Sequence, residues 1–226
     1  EKMKSLAEMA SGISHEINNP LTILRLKASR LIKKTEASSE QAKLLNDIVS
    51  NSDRINEIII GLRAFSEDLV KEQRLLTSVE EIINEVIELS KSELSDSEIE
   101  ISIDLKESNL HINCDRTQIT QAILNLVINS IDALKSSEVS KKIISLRAFS
   151  EDSFIKFQII DNGSKISNDL NKIFEPFYTT KDIGEGAGLG LSISKGIARS
   201  HHGELLFSQT GDEKVFSLVL PSPSVI

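Results

Sequence analysis

The sequence has no tryptophan, one tyrosine and eight phenylalanines, so aromatic mass cannot fill its interior and any core must rest on Ile, Leu and Val. Its single cysteine, Cys114, excludes an intramolecular disulfide and a thiolate zinc site, and fits a reducing compartment. No apolar run approaches the roughly 18 residues of a membrane span, and no signal-peptide pattern opens the chain. Basic excess is missing too. A formal net charge of -8 argues against nucleic acid as the main partner, because binding a phosphate backbone needs a basic face. Any phosphate site here must be local.

With 27% charged and 39% apolar residues, the chain is expected to be a soluble globular type, and 226 residues leave room for two domains. It opens at Glu1 inside what reads as a helix, without initiator Met or cap, as expected of a fragment. Such a fragment is expected to be cytoplasmic and to make no membrane contact itself, with any membrane anchor lying elsewhere in the full protein.

From Met3 the apolar positions run Leu6, Ala10, Ile13, Ile17, Leu21, Leu24, Ala28 and Leu31, in steps of three or four that predict a helix with one narrow buried seam. The stretch 35–40 turns small and polar. A second stripe follows through Leu45, Ile48, Ile55, Ile59, Leu62, Phe65 and Leu69, so two helices of about thirty residues, each roughly 45 Å long, form an antiparallel hairpin. A lone pair cannot cover both seams, and pairing two hairpins into a four-helix bundle would. A homodimer is therefore expected, the alternative being a hairpin packed on the rest of its own chain.

Beyond Lys71 the periodicity changes. A short strand is expected at Leu75–Ser78, an amphipathic helix at Val79–Ser90, and a half-buried strand in the alternation of Ile99–Leu105. Then come a strand at His111–Cys114, a helix over Arg116–Lys135, strands at Ile143–Phe149 and Phe154–Ile160, a helix at Leu189–His201, and strands at Leu205–Ser208 and Val215–Leu220. That order predicts an α+β fold, a sheet covered on one face by helices, with the domain boundary near Arg74. Residues 1–74 would be the hairpin and 75–226 an α/β sandwich.

Two constellations carry chemistry. In Ser14-His15-Glu16-Ile17-Asn18-Asn19-Pro20-Leu21, His15 lies two residues from both Ile13 and Ile17, so at about 100° per residue it points away from the seam. Glu16 can orient the imidazole or take its proton as the distal nitrogen attacks phosphorus. Asn19, one turn on, can hold a water over a phosphorylated imidazole, and Pro20 removes a hydrogen bond and bends the helix below the site. A solvated surface histidine is the plainer alternative.

The second constellation is spread over the later domain. Asn125 and Asn129 stand one turn apart, and an amide oxygen can ligate Mg²⁺ whose other ligands are phosphate and water. In Asp161-Asn162-Gly163 a carboxylate can accept from an adenine amino group, and Gly163 permits close backbone approach. Asp-Asn-Gly is also a common turn. Gly184-Glu185-Gly186-Ala187-Gly188-Leu189-Gly190-Leu191 opens a predicted helix whose free N–H groups can cradle phosphates, the alternative being a hinge. It fits neither G-x-G-x-x-G nor G-x-x-x-x-G-K-[ST], so dinucleotide-fold and P-loop sites are excluded.

Taken together these residues resemble the catalytic core of the two-component sensor histidine kinases. Ser14–Leu24 resembles the phosphoacceptor box, Gln121–Ala133 the N box, Asp161–Gly163 the first glycine box, Phe174–Lys181 the F box and Gly184–Leu191 the second glycine box. The wording His-Glu-Ile-Asn-Asn-Pro and the short lid are similar to the nitrogen-regulator-like branch. The resemblance implies a dimerisation and phosphotransfer hairpin followed by a Bergerat-type ATP-binding domain. It implies that His15 is phosphorylated, Glu16 activates it, and Asn19 supports dephosphorylation of the partner. It further implies that Asn129 ligates Mg²⁺, that Asp161 reads adenine, and that a lid from about Asn162 to Gly186 carries Lys181 to the phosphates of ATP. The expected acceptor is an aspartate on a response-regulator receiver domain. Lys165 stands where the first glycine box commonly has its second glycine, so an altered loop or an ammonium near the nucleotide is expected there.

Related ATPases place a glutamate base one turn before the metal-binding Asn, whereas this chain has Asn125, which cannot take a proton from water. Hydrolysis should then be slow, leaving the γ-phosphoryl group for His15. The rival functions are an ATPase machine and a catalytically silent, nucleotide-binding dimeric scaffold.

Overall fold

The computed structural model describes residues 17, 19–36, 39–64, 74–107, 109–166, 170, 172–179 and 188–223. The chain falls into two compact units, Glu1–Leu69 with Pro176–Leu189, and Val70–Glu175 with Gly190–Ile226.

In the first unit, helix α1 occupies 19–32 and helix α2 Glu40–Ala64, joined through a short turn. Thr35 Oγ1 donates to the Leu31 carbonyl at 2.7 Å, closing α1, and Ser39 Oγ accepts from the Ala42 amide at 3.1 Å, capping α2. The small polar stretch of the sequence thus falls between the two helices. Ala28 and Ala42 are buried, but Leu24 and Leu31 of the expected seam remain 52% exposed, and Ile48 and Ile55 are exposed as well. The expected helical residues 3–16 and 65–69 lie outside the described ones, apart from Ile17 itself, which is helical.

In the second unit, strand β1 (Leu75–Ser78) leads directly into helix α3 (Val79–Asp96), followed by β2 (Glu100–Leu105), β3 (His111–Cys114) and helix α4 (Arg116–Lys135). Strands β4 (Ile143–Glu151) and β5 (Phe154–Asp161) form a hairpin, then come helix α5 (Gly190–Ser200) and strands β6 (Glu204–Thr210) and β7 (Glu213–Pro221). A five-stranded sheet runs β2-β4-β5-β7-β6, parallel only between β2 and β4, while β1 and β3 make a separate antiparallel ribbon. The β4–β5 turn is tight because Asp152 and Ser153 both take positive φ, 47° and 66°, as a two-residue hairpin turn with the right twist requires.

The core lies between one face of the sheet and α3, α4 and α5, as an α+β sandwich. Alternate residues of β5 and β7 point into it, Ile155, Phe157 and Ile159 facing Phe216, Leu218 and Leu220. From α4 come Ile119, Ile123, Leu126 and Ile131, spaced for one helical face. Its start is fixed by Asp115, whose side chain accepts from the Gln118 amide at 3.1 Å.

Two elements depart from the sequence-based expectation. Helix α3 runs past Ser90 to Asp96, because Leu94 continues the buried stripe one turn further. Strand β2 is more open than its alternation suggests, with Ile103 exposed, since it is an edge strand paired only with β4.

Candidate functional site

The second unit gathers its candidate residues along one side of α4. Asn125, Asn129 and Ala133 recur every four residues, all half-buried, and form a stripe up the helix. At one end of the stripe Asn125 Nδ2 donates to the Gly190 carbonyl at 3.4 Å, and Ser194 Oγ donates to the Ala122 carbonyl at 3.1 Å, binding the first turn of α5 to α4. At the other end the loop after β5 lies against Ala133. Asn129 sits between the two, and its side chain has no hydrogen-bond partner among the described residues.

Gly163 explains why that loop can come so close. A Cβ there would stand 2.8 Å from the Ala133 carbonyl carbon and 2.9 Å from its oxygen, inside any real contact distance. The loop is held by three further bonds. The Gly163 amide donates to Asp161 Oδ1 at 2.9 Å, the Ser164 amide to the Ala133 carbonyl at 3.2 Å, and the Ile166 amide to Gln209 Oε1 at 3.0 Å. Asp-Asn-Gly is therefore a turn and a close approach at once. Lys165 does not adopt positive φ, so no glycine is needed there, and its ammonium pairs with Asp212 at 3.0 Å on the β6–β7 turn.

Asp161 is the last core-facing residue of β5 and is fully buried. Its carboxylate accepts from three donors, Gly163 N at 2.9 Å, Ser130 Oγ at 2.9 Å and Lys214 Nζ at 3.0 Å. Lys214 faces it from β7 in direct register and is itself buried. Burying a charge this deeply is tolerated only when it is paired and hydrogen-bonded. Sequence reasoning missed Ser130 and Lys214. A signal existed for Lys214, which shares the parity of Phe216, Leu218 and Leu220 along β7 and so falls on the core face.

The F-box segment begins at Phe174, over whose ring Lys195 of α5 places its ammonium at 4.7 Å. In the other unit, Gly188 has φ +66° and lies so close to the Phe177 and Tyr178 backbone that a Cβ would meet it at 2.7 Å. The Phe177 amide donates to the Gly188 carbonyl at 2.9 Å, and Leu189 is buried. Asn19 is helical and exposed. His15, Glu16, Lys181, Gly184 and Gly186 lie outside the described residues.

Away from this site, burial shifts Cys114 and His201. Burial pushes the Cys114 thiol up to about 11, so it is an inert core residue and no nucleophile. Burial lowers the His201 pKa, its Nε2 accepting from the Asp115 amide at 3.1 Å while Nδ1 bonds the Ile197 carbonyl at 2.9 Å. No group of three or more His, Cys, Asp or Glu among the described residues could hold a metal ion. No helix among the described residues is long and apolar enough to cross a membrane.

Residues 5–68 match the His Kinase A (phospho-acceptor) domain, and residues 114–224 match the histidine kinase-, DNA gyrase B- and HSP90-like ATPase family. The chain is 31% identical to the sensor histidine kinase ZraS of Escherichia coli K12, over 98% of this chain and 46% of that protein. It is 30% identical to sporulation kinase E of Bacillus subtilis, over 96% of this chain and 28% of that one. It thus spans about half or less of the length of these relatives. Among solved structures, histidine kinase ThkA in complex with response regulator protein TrrA superposes with a TM-score of 0.67 at 27% identity, covering 98% of this chain and 63% of that one. Full-length ShkA in complex with AMPPNP shares the fold, with a TM-score of 0.73 at 22% identity over 95% of this chain and 46% of that one. A phosphoacceptor module followed by an ATPase-like module, on a mixed sheet with helices on one face, places the chain in the sensor histidine kinase family.

Proposed function

We propose that this chain catalyses ATP-dependent phosphorylation of its own His15 and passes the phosphoryl group to an aspartate of a response-regulator receiver domain. The observation that carries this is the order of the two family matches on one chain, a phosphoacceptor module ahead of an ATPase-like one. Residues 1–74 are assigned to dimerisation and phosphotransfer, and 75–226 to ATP binding.

The α4 face fits a nucleotide. Gly163 brings the loop backbone against α4 where no side chain fits, and Asn129 offers an amide with no partner among the described residues. Asn129 would ligate Mg²⁺, which neutralises phosphate charge when bound. Gly184, Gly186, Gly188, Leu189 and Gly190 would supply backbone N–H groups to the phosphates, and Lys181 an ammonium. Asp161 would accept from the base amino group. His15 attacks the γ-phosphorus through its distal nitrogen as the bond to the β–γ bridging oxygen breaks and ADP leaves, while Glu16 takes the proton from the other nitrogen.

Asn125 supports a kinase over a hydrolase. Its amide donates to the Gly190 carbonyl and cannot take a proton from water, which forfeits the roughly 10²–10⁴-fold that a general base supplies. Asn19, exposed on α1, would hold a water for dephosphorylation of the regulator. The homodimer is supported by Leu24, Leu31, Ile48 and Ile55, which a single hairpin leaves in water.

Incubation with γ-labelled ATP tests this. The expected label is acid-labile and alkali-stable, is absent in His15→Gln, and moves to a receiver domain. Steady phosphate release without label would indicate an ATPase instead, and neither label nor release a silent scaffold.

A further inference from the structure

The chain leaves the second unit after Glu175 and re-enters it at Gly190, and the residues at these two points are fastened to the same helix. Gly190 is the first residue of α5, and its carbonyl accepts from Asn125 Nδ2 at 3.4 Å and from Ser194 Oγ at 2.9 Å. Phe174, one residue before the exit, is half-buried, and its ring centroid lies 4.7 Å from Lys195 Nζ. Its neighbour Ile173 is buried, and the Glu175 amide donates to the Lys172 carbonyl at 2.8 Å, so the turn around Phe174 has a fixed shape. Lys195 is not among the buried residues of α5 and has no ion pair among the described residues. A lysine there is ordinarily solvated, yet this ammonium stands within the roughly 6 Å at which a ring face attracts a cation.

We propose that Lys195 is a positioning residue for the nucleotide site, pinning the point where the chain leaves the second unit by its hold on the Phe174 ring. This rests on the nucleotide site proposed above. Lys181, Gly184, Gly186 and Gly188, assigned there to the phosphates, all fall between the exit at Glu175 and the return at Gly190. A segment fixed at both ends has fewer arrangements to lose on ordering around a ligand than one fixed at a single end, so the pin lowers the cost of binding. Helix α5 can serve as the anchor because Ser194 Oγ ties it to the Ala122 carbonyl of α4 at 3.1 Å. Lys195 acts through Phe174 and not on the phosphates. Its charge matters because the face of a phenyl ring attracts a cation and gives no such hold on a neutral side chain of similar length.

The test is titration of the whole chain with ATP in the presence of Mg²⁺, together with hydrogen exchange over residues 172–179 of the nucleotide-free protein. Wild type is compared with Lys195→Met, Lys195→Arg, Phe174→Leu and the double variant Lys195→Met/Phe174→Leu, with thermal unfolding to check that each is folded. Lys195→Met against Lys195→Arg decides the matter even where Phe174→Leu does not fold. Lys195→Met is expected to weaken ATP binding about three- to tenfold and to speed exchange by a similar factor, the scale of one cation–π pair. Lys195→Arg, whose guanidinium also stacks on a ring, should stay within about twofold of wild type. The double variant should bind no more weakly than Phe174→Leu alone, because the ammonium then has no ring left to hold. Wild-type affinity in Lys195→Met, an Arg variant as weak as Met, or losses that add in the double variant overturn the role of Lys195 and leave the nucleotide site standing. Weaker binding with unchanged exchange makes Lys195 a direct phosphate contact and overturns it too. Failure of wild type to bind ATP overturns both the role and the site.

Discussion

At the scale of single residues, the Asp161–Gly163 turn is held tightly against α4. Gly163 has no room for a Cβ against the Ala133 carbonyl, and the obstacle is backbone rather than a flexible side chain. Gly163→Ala is therefore expected to cost about 1–3 kcal/mol, the usual range for overpacking, and to weaken nucleotide binding as the loop lifts. Urea unfolding with a nucleotide titration checks both, and a variant with wild-type stability would show the loop to be loosely seated. Lys165, two residues on, matters less than the sequence suggested. Its ordinary φ and its exposed pair with Asp212 make it a solvated residue of the loop, worth little to stability. Asp161 and Gly163 were legible as residue types in a motif. Ser130 and Lys214 were not, because a buried partner is identified by what it faces, and the facing residues come from α4 and β7.

At the scale of elements, α4 is the spine of the second unit. Its N-terminus is capped by Asp115, and the Asp115 amide donates to His201 just past the end of α5. Chain reversal after α5 is made by His202 at φ 58°, with the Gly203 amide bonding the Ala198 carbonyl at 2.8 Å. His201 is held neutral, since its Nε2 must accept. Burial, the largest cause, sets its folded pKa below the ordinary 6.5, so the unfolded chain binds the proton more readily. The stability it contributes is complete above about pH 6.5 and is lost as pH falls through the folded value. Thermal unfolding between pH 8 and 5 should show Tm dropping on the acid side of 6.5, and the drop should shrink in His201→Phe. A pH dependence unchanged in that variant would assign it to other groups. Most element positions were legible, because period-2 and period-3.6 patterns are local. The extra turn of α3 and the openness of β2 were not, since each depends on which neighbours the sheet order provides.

At the scale of the whole molecule, the hairpin leaves its seam half in water while the second unit closes its own core. Leu24 and Leu31 are each 52% exposed, whereas Leu126, Phe157 and Phe216 are fully buried. One unit is thus finished by its own chain, and the proposed dimer would cover the exposed apolar face of the other. The wild-type chain should sediment as a dimer at micromolar concentration, and Leu24→Glu/Leu31→Glu as a monomer whose ATP affinity stays within about twofold, since charges on that face oppose association without touching α4. A wild-type chain that stays monomeric would favour a hairpin satisfied in some other way.

The sequence by itself determined the order of elements, the two-part organisation and the five motifs, because helix and strand periodicity and turn chemistry are written within a few residues of each position. By resemblance it also puts Asn125 where related ATPases carry a glutamate base. Tertiary structure alone decided that the loop after β5 packs on α4 at Ala133, that Lys165 turns to Asp212, and that Asp161 shares its carboxylate with Ser130 and Lys214. Those facts depend on strand register and on the packing of α4 across the sheet, which join residues dozens of positions apart and leave only a weak trace in the alternation of β7.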